Sequence, residues 1–156
     1  MRLALALLLA AAPVALRETL GVHGAWGAFR DADRCYAIAR PAIGGRGPSR
    51  PFASVASWPR LGRRGDLHVR LSRERDRAAG VTVAIGERRF PLVASGRDAW
   101  APDAAAERAI VGAMRSGRSM SVEAVARGGR PFVDVYRLDG AATAIDAAAL
   151  ACLGRR

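Results

Sequence analysis

Asp66 and His68 stand two residues apart in Asp66-Leu67-His68-Val69-Arg70, where apolar and polar residues alternate. On a pleated strand that spacing puts both side chains on one face, and a carboxylate beside an imidazole is the pairing that orients a general base. The pair does acyl-transfer or hydrolytic chemistry only with a nucleophile in reach. No serine of this chain stands in the Gly-x-Ser-x-Gly pattern of a strand-to-helix elbow. His68 therefore reads as a strand residue, and His23 carries still less chemistry. No catalytic or metal-ligating residues are expected, no cofactor is expected, and the chain reads as non-enzymatic.

The glycine-rich run Gly44-Gly45-Arg46-Gly47-Pro48 lies in a stretch from Pro41 to Pro51 too rich in Gly and Pro to pack. It lacks the Lys-Ser/Thr ending and the following helix that a phosphate loop needs, so it reads as an exposed loop. Cys35 and Cys152 are the only cysteines. One reading is a single disulfide tying an early strand to the C-terminal end; the other is two unrelated buried thiols, because sequence does not place two Cα atoms within bridging distance.

The net charge of +11 comes from 25 basic residues, all arginine, against 14 acids in 156 residues. Guanidinium forks suit carboxylates and phosphates, so one reading is a surface that grips polyanions; the other is the compositional bias of a GC-rich genome. The densest stretch is Arg60 to Arg77, with Arg70, Arg73, Arg75 and Arg77 as the candidate anionic-ligand patch. Trp26, Trp58 and Trp100, with Phe29, Phe52 and Tyr36, could form an aromatic binding platform but are read mainly as core, since only 6% of residues are aromatic. Aromatic rings are not interleaved with the arginines of Arg60 to Arg77, as single-stranded nucleic acid would require.

These side chains need elements to hold them. Short strands separated by turn signals are predicted over Ala25–Arg30, Arg34–Ala39, Phe52–Trp58, Leu67–Ser72, Val81–Ile85 and Arg89–Ala94. Asp103 reads as an N-cap for a helix stopped by Gly117, with Ala106, Ala109, Ile110, Ala113 and Met114 on one face. Met120 and Val122, then Val133 and Val135, alternate on either side of Gly128-Gly129 and predict a hairpin. Thr143 and Asp146 resemble a capping box opening a last helix that ends near Cys152.

The first fifteen residues have another logic. Met1-Arg2 is followed by an unbroken Leu/Ala run from Leu3 to Ala12, closed by Pro13, Val14 and Ala15. A short positive start, a short apolar run and small residues at its end make a signal-peptide layout, with an uncleaved anchor as the alternative. The run falls short of the ~20 residues that cross a bilayer, so no transmembrane segment is expected in the mature chain. The expectation is a leader over 1–15 and a single domain over 16–156, periplasmic or secreted.

The last third carries a recognisable order: Ala113-Met114-Arg115-Ser116-Gly117, a strand through Met120-Ser121-Val122, then Tyr136-Arg137-Leu138-Asp139-Gly140 and Ala141-Ala142-Thr143-Ala144-Ile145-Asp146-Ala147. It resembles the invasion-associated locus B family of exported bacterial proteins, and Gly24-Ala25-Trp26-Gly27-Ala28-Phe29 and Cys35-Tyr36-Ala37-Ile38 resemble that family's opening strands. The sequence departs from the family at Arg30, where many members carry a cysteine, and in its arginine-dense middle. The resemblance implies a mainly β fold, an immunoglobulin-like antiparallel β-sandwich with one or two short helices, and an envelope or binding role. Partners are not specified by the residues: anionic lipid or polysaccharide of the envelope, or a host or cell-surface protein, are the candidates, and export sets nucleic acid aside.

Overall fold

The computed structural model describes residues 17–45 and 49–154; the expected leader over 1–15 lies outside the described residues. Ten strands and two helices follow one another: β1 (Glu18–His23), β2 (Trp26–Arg30), β3 (Cys35–Ala39), β4 (Phe52–Trp58), β5 (Arg63–Arg70), β6 (Val81–Ile85), β7 (Arg88–Ser95), β8 (Asp98–Trp100), α1 (Ala104–Ser116), β9 (Ser119–Val125), β10 (Pro131–Arg137) and α2 (Ala141–Ala151). Every pairing is antiparallel, and the strands form one sheet in the order β1-β2-β3-β4-β5-β8-β7-β6-β9-β10.

The immunoglobulin-like β-sandwich implied by the family resemblance is therefore not the fold of this chain. The sheet is single and open, with two short helices. The reason lies in β7 and β8. Residues Arg88 to Leu92 of β7 pair with β6, while Val93 to Ser95 pair with β8, whose other edge pairs with β5. Backbone hydrogen bonding thus runs unbroken through the place where a sandwich would separate into two layers.

Alternation decides which side chains go inside. Leu67, Val69 and Leu71 are buried while Asp66, His68 and Arg70 face the other way, as the pleat requires. The buried residues form one cluster that takes in Trp26 and Val69 from one half of the sheet, Val83, Val122 and Tyr136 from the other, and Met114 and Ile145 from the helices. The sheet bends round this core without closing.

Helix α1 begins where the Asp103 carboxylate accepts the Ala106 N–H at 2.8 Å, and its last turn ends with the Gly117 N–H donating to the Ala113 carbonyl at 2.9 Å. It buries Ile110, Ala113 and Met114. Helix α2 corrects the capping-box expectation: its N-cap is Gly140, in the left-handed region at φ 80°, with no side-chain cap. Asp146 turns instead to Arg115 of α1, at 2.6 Å. Glycine is needed at 140 because a Cβ would run into the His23 carbonyl.

The two ends of the described chain hold each other. The Ala25 N–H donates to the Asp139 carbonyl at 3.1 Å, and the buried Trp26 indole N–H donates to the Arg137 carbonyl at 2.8 Å. Cys35 of β3 and Cys152, just past α2, are joined with sulfurs 1.99 Å and Cα atoms 5.9 Å apart. No helix among the described residues is long and apolar enough to cross a membrane.

Candidate ligand-binding face

Strand register brings together side chains that the sequence keeps apart. Phe52 lies opposite Arg70 and Ser54 opposite His68 across β4 and β5; His68 lies opposite Trp100 and Arg70 opposite Asp98 across β5 and β8. All six occupy one face, opposite the face carrying Leu67 and Val69. There the His68 Nε2 and Asp98 Oδ1 are 2.8 Å apart. The imidazole is stacked on the Trp100 ring at 5.3 Å, 10° from parallel, and meets Phe52 edge-on at 5.0 Å.

Asp66 and His68 do share a face, but they do not pair. Asp66 lies 2.8 Å from Arg63 and beside Glu107 of α1, whereas His68 turns to β8. The residues Ser54, His68 and Asp98 have the composition of a nucleophile, a base and its orienting acid. Ser54 Oγ, however, makes no hydrogen bond to His68, and the ring nitrogen that reaches a partner is committed to Asp98. Stacked on Trp100, edge-on to Phe52 and bonded to Asp98, His68 works here as part of an aromatic surface.

The aromatic residues expected as core divide. Trp26 is buried and belongs to the core, and Tyr36 is 3% exposed. Phe29, Phe52 and Trp58 are half-buried and Trp100 is 37% exposed, so these four present ring surface to solvent. Phe29 stacks on Tyr36 at 5.7 Å, and the Arg34 guanidinium lies over Tyr36 at 4.4 Å and over Trp58 at 5.2 Å. Burial, followed by the nearby Asp31 charge, pushes the Tyr36 phenol above its ordinary value, so it stays protonated.

Between Phe29 and Phe52 lies an open basin of about 560 Å³ at the end of β2, β3 and β4, with Phe29, Ile38 and Phe52 on its apolar side and Arg17, Arg40 and Arg50 around it. No carboxylate is among the described residues lining it. Gly27 makes room for the Phe29 ring, which a Cβ at 27 would strike. Arg50 sits at φ 47°, a left-handed conformation uncommon for a non-glycine residue, and such strain persists where the surroundings enforce it. Arg17 pairs with Asp31 at 3.6 Å, whereas Arg40 and Arg50 make no ion pair among the described residues, so a strip of aromatic rings runs into a basin with net positive charge. Rings offer flat apolar faces, and guanidinium forks take carboxylate, sulfate or phosphate oxygens.

The four arginines picked out in the sequence are not gathered into one patch. Arg70 belongs to the aromatic face, half-buried, with its Nε buried and without a partner. Arg73 is exposed, with its guanidinium 6.0 Å from the Phe132 ring, and Arg77 is exposed on the loop. Arg75 turns inward: one terminal nitrogen donates to the carbonyls of Asp76, Arg77 and Ala79, and the other to that of Ala94, at 2.9–3.2 Å. Its charge clips the loop after β5 to β7.

Asp98, Arg40 and Arg50 were not legible as site residues, whereas Trp100 is among the rings that could form a binding platform but read mainly as core. Alternation in β5 was a signal for the face itself, but the three-residue β8 that completes it is too short to show a period. The chain matches no known protein family, curated protein or solved structure.

Proposed function

We propose that this chain works outside the cytoplasm, in the periplasm or secreted, as a non-enzymatic envelope protein that binds an anionic polysaccharide across the aromatic face. One observation carries the reading: the Phe52, His68 and Trp100 rings run into a basin edged by Arg17, Arg40 and Arg50, where Arg17 is paired with Asp31 but Arg40 and Arg50 make no ion pair among the described residues. A sugar ring laid on an aromatic ring buries its apolar C–H face, and acidic substituents then meet arginine forks at the neighbouring position. The leader-like start of the sequence and the Cys35–Cys152 bridge support an oxidising compartment. The likeness of residues 113–147 to the invasion-associated locus B family supports an exported, non-enzymatic role, although the open sheet is not the sandwich that likeness implies.

Titration calorimetry with polygalacturonate and with neutral dextran tests the proposal, alongside Trp100→Ala and the double variant Arg40→Glu/Arg50→Glu. Polygalacturonate should bind and dextran should not. Each variant should lose roughly tenfold or more in affinity, with the double variant also losing most of the salt dependence. Absent binding at low ionic strength, or binding indifferent to both variants, refutes the proposal. Tighter binding of single-stranded oligothymidylate than of polygalacturonate refutes it too, because stacking rings and arginines also serve that ligand.

A further inference from the structure

The opposite face of β4 holds a second concavity, unrelated to the aromatic strip. Ser54 points to the aromatic face; Val55 and Ser57 point away from it and, with the start of β5, α1 and the end of α2, enclose a cavity of about 350 Å³. The lining is mixed: one side of it is apolar, with Val55 from the sheet, Val111 from α1, Ile145 from α2 and the exposed Leu153 at its edge, and Cys152 also lines it. A polar ligand seated against those side chains would leave its hydrogen-bonding groups unsatisfied.

The charged part of the lining is all basic. Arg63, Arg64 and Arg115 reach it from β5 and α1, and no carboxylate is among the described residues lining it. Arg63 is held by Asp66 at 2.8 Å and Arg115 by Asp146 at 2.6 Å, which position two guanidiniums beside the cavity while compensating them. Arg64 is exposed and makes no ion pair among the described residues. A pocket with an apolar side and one uncompensated guanidinium on its polar side suits a ligand with a hydrocarbon body and a single anionic head.

We infer that the cavity between β4, α1 and α2 binds a single-chain carboxylate amphiphile, its hydrocarbon against Val55, Val111, Ile145 and Leu153 and its carboxylate on Arg64. The volume lies at the small end of ligand pockets, which run from about 300 to 1,000 Å³, and so holds one chain rather than the two of a phospholipid. The site is separate from the aromatic face and stands or falls independently of it.

Calorimetry on the oxidised full chain with decanoate, below its micelle concentration, is the test. Decanoate should occupy a single saturable site, and decanol, which has no charge, should bind at least roughly tenfold more weakly. Arg64→Glu should weaken decanoate by a similar factor with the melting temperature unchanged. Ala149→Trp, which places a ring in the cavity, should abolish binding, and Trp100→Ala on the other face should leave it untouched. The inference fails if decanoate does not bind saturably, if Arg64→Glu binds it as well as the parent, or if a folded Ala149→Trp variant retains it. Association with phosphatidylglycerol vesicles but not with free decanoate also overturns it, because that marks a lipid surface as the ligand.

Discussion

Replacing both bridged cysteines, Cys35→Ala with Cys152→Ala, removes a tie between residues separated by 117 positions. In the chain-entropy treatment, closing a loop of that length costs the unfolded chain about 5 kcal/mol of freedom, and the folded protein loses that much relative stability when the tie is cut. Cys35 is fully buried and Cys152 is 8% exposed, so truncation also removes some sulfur packing. Domains of this size shift by about 2–4 °C per kcal/mol, which makes the expected fall in Tm roughly 10–20 °C. The native spectrum should be unchanged, because the effect acts mainly on the unfolded state. The assay is thermal melting followed by circular dichroism on the oxidised parent, the reduced parent and the double variant, with thiol alkylation before and after reduction. Reduced parent and double variant should melt together, well below the oxidised parent. Melting of all three within about 3 °C of one another would refute the reasoning, as would two thiols that alkylate without reduction.

Burial, with the Asp66 charge adding to it, raises the Glu107 carboxyl above its ordinary value of 4.5, while its oxygen accepts the Leu67 N–H. The folded state then holds that proton more tightly than the unfolded chain, so stability from this group is full below about 4.5 and is lost as pH rises through the raised native value. Glu107→Gln keeps the acceptor without the charge, and its urea midpoint should gain on the parent between acid and neutral pH; parallel profiles would contradict this. Asp134 is fully buried and accepts the Gly45 N–H at 3.2 Å and the Ser72 N–H at 2.9 Å, so Asp134→Ala should cost about 2–6 kcal/mol in urea unfolding by stranding two donors. Arg75→Glu should cost about 2–4 kcal/mol by releasing the four carbonyls it holds, whereas Arg73→Glu and Arg77→Glu should change the urea midpoint little.

What the sequence made legible was local. Val81–Ile85 alternates over its whole length, and both it and Phe52–Trp58 are strands with the expected bounds. Asp103 caps α1 because a short carboxylate three residues before a free N–H is sufficient by itself. What was hidden depends on pairing at a distance. The partner of His68 is 30 residues away on a strand of three residues, and the continuity that turns ten strands into one sheet rests on that same β8. In the loop after β5 the charge pattern did not show that four backbone carbonyls draw Arg75 inward. Sparse aromatics suggested core for all six, but Phe29, Phe52, Trp58 and Trp100 fall on the pleat positions that α1 and α2 leave uncovered.

The contact between the opening strands and the residues after β10 sets an order of events in folding. Trp26 finds its carbonyl 111 positions later, and Cys35 finds its sulfur partner 117 positions later. Closing loops of that length comes before any of the contacts that reward it, which slows folding and makes it wait on the last segment. A chain interrupted before Arg137 has a tryptophan without its acceptor, a β3 cysteine without its mate and no α2 to cover β2 and β3. Such a chain holds the strands of its first half without the contacts that tie them to its end, and those contacts form only once that end is available.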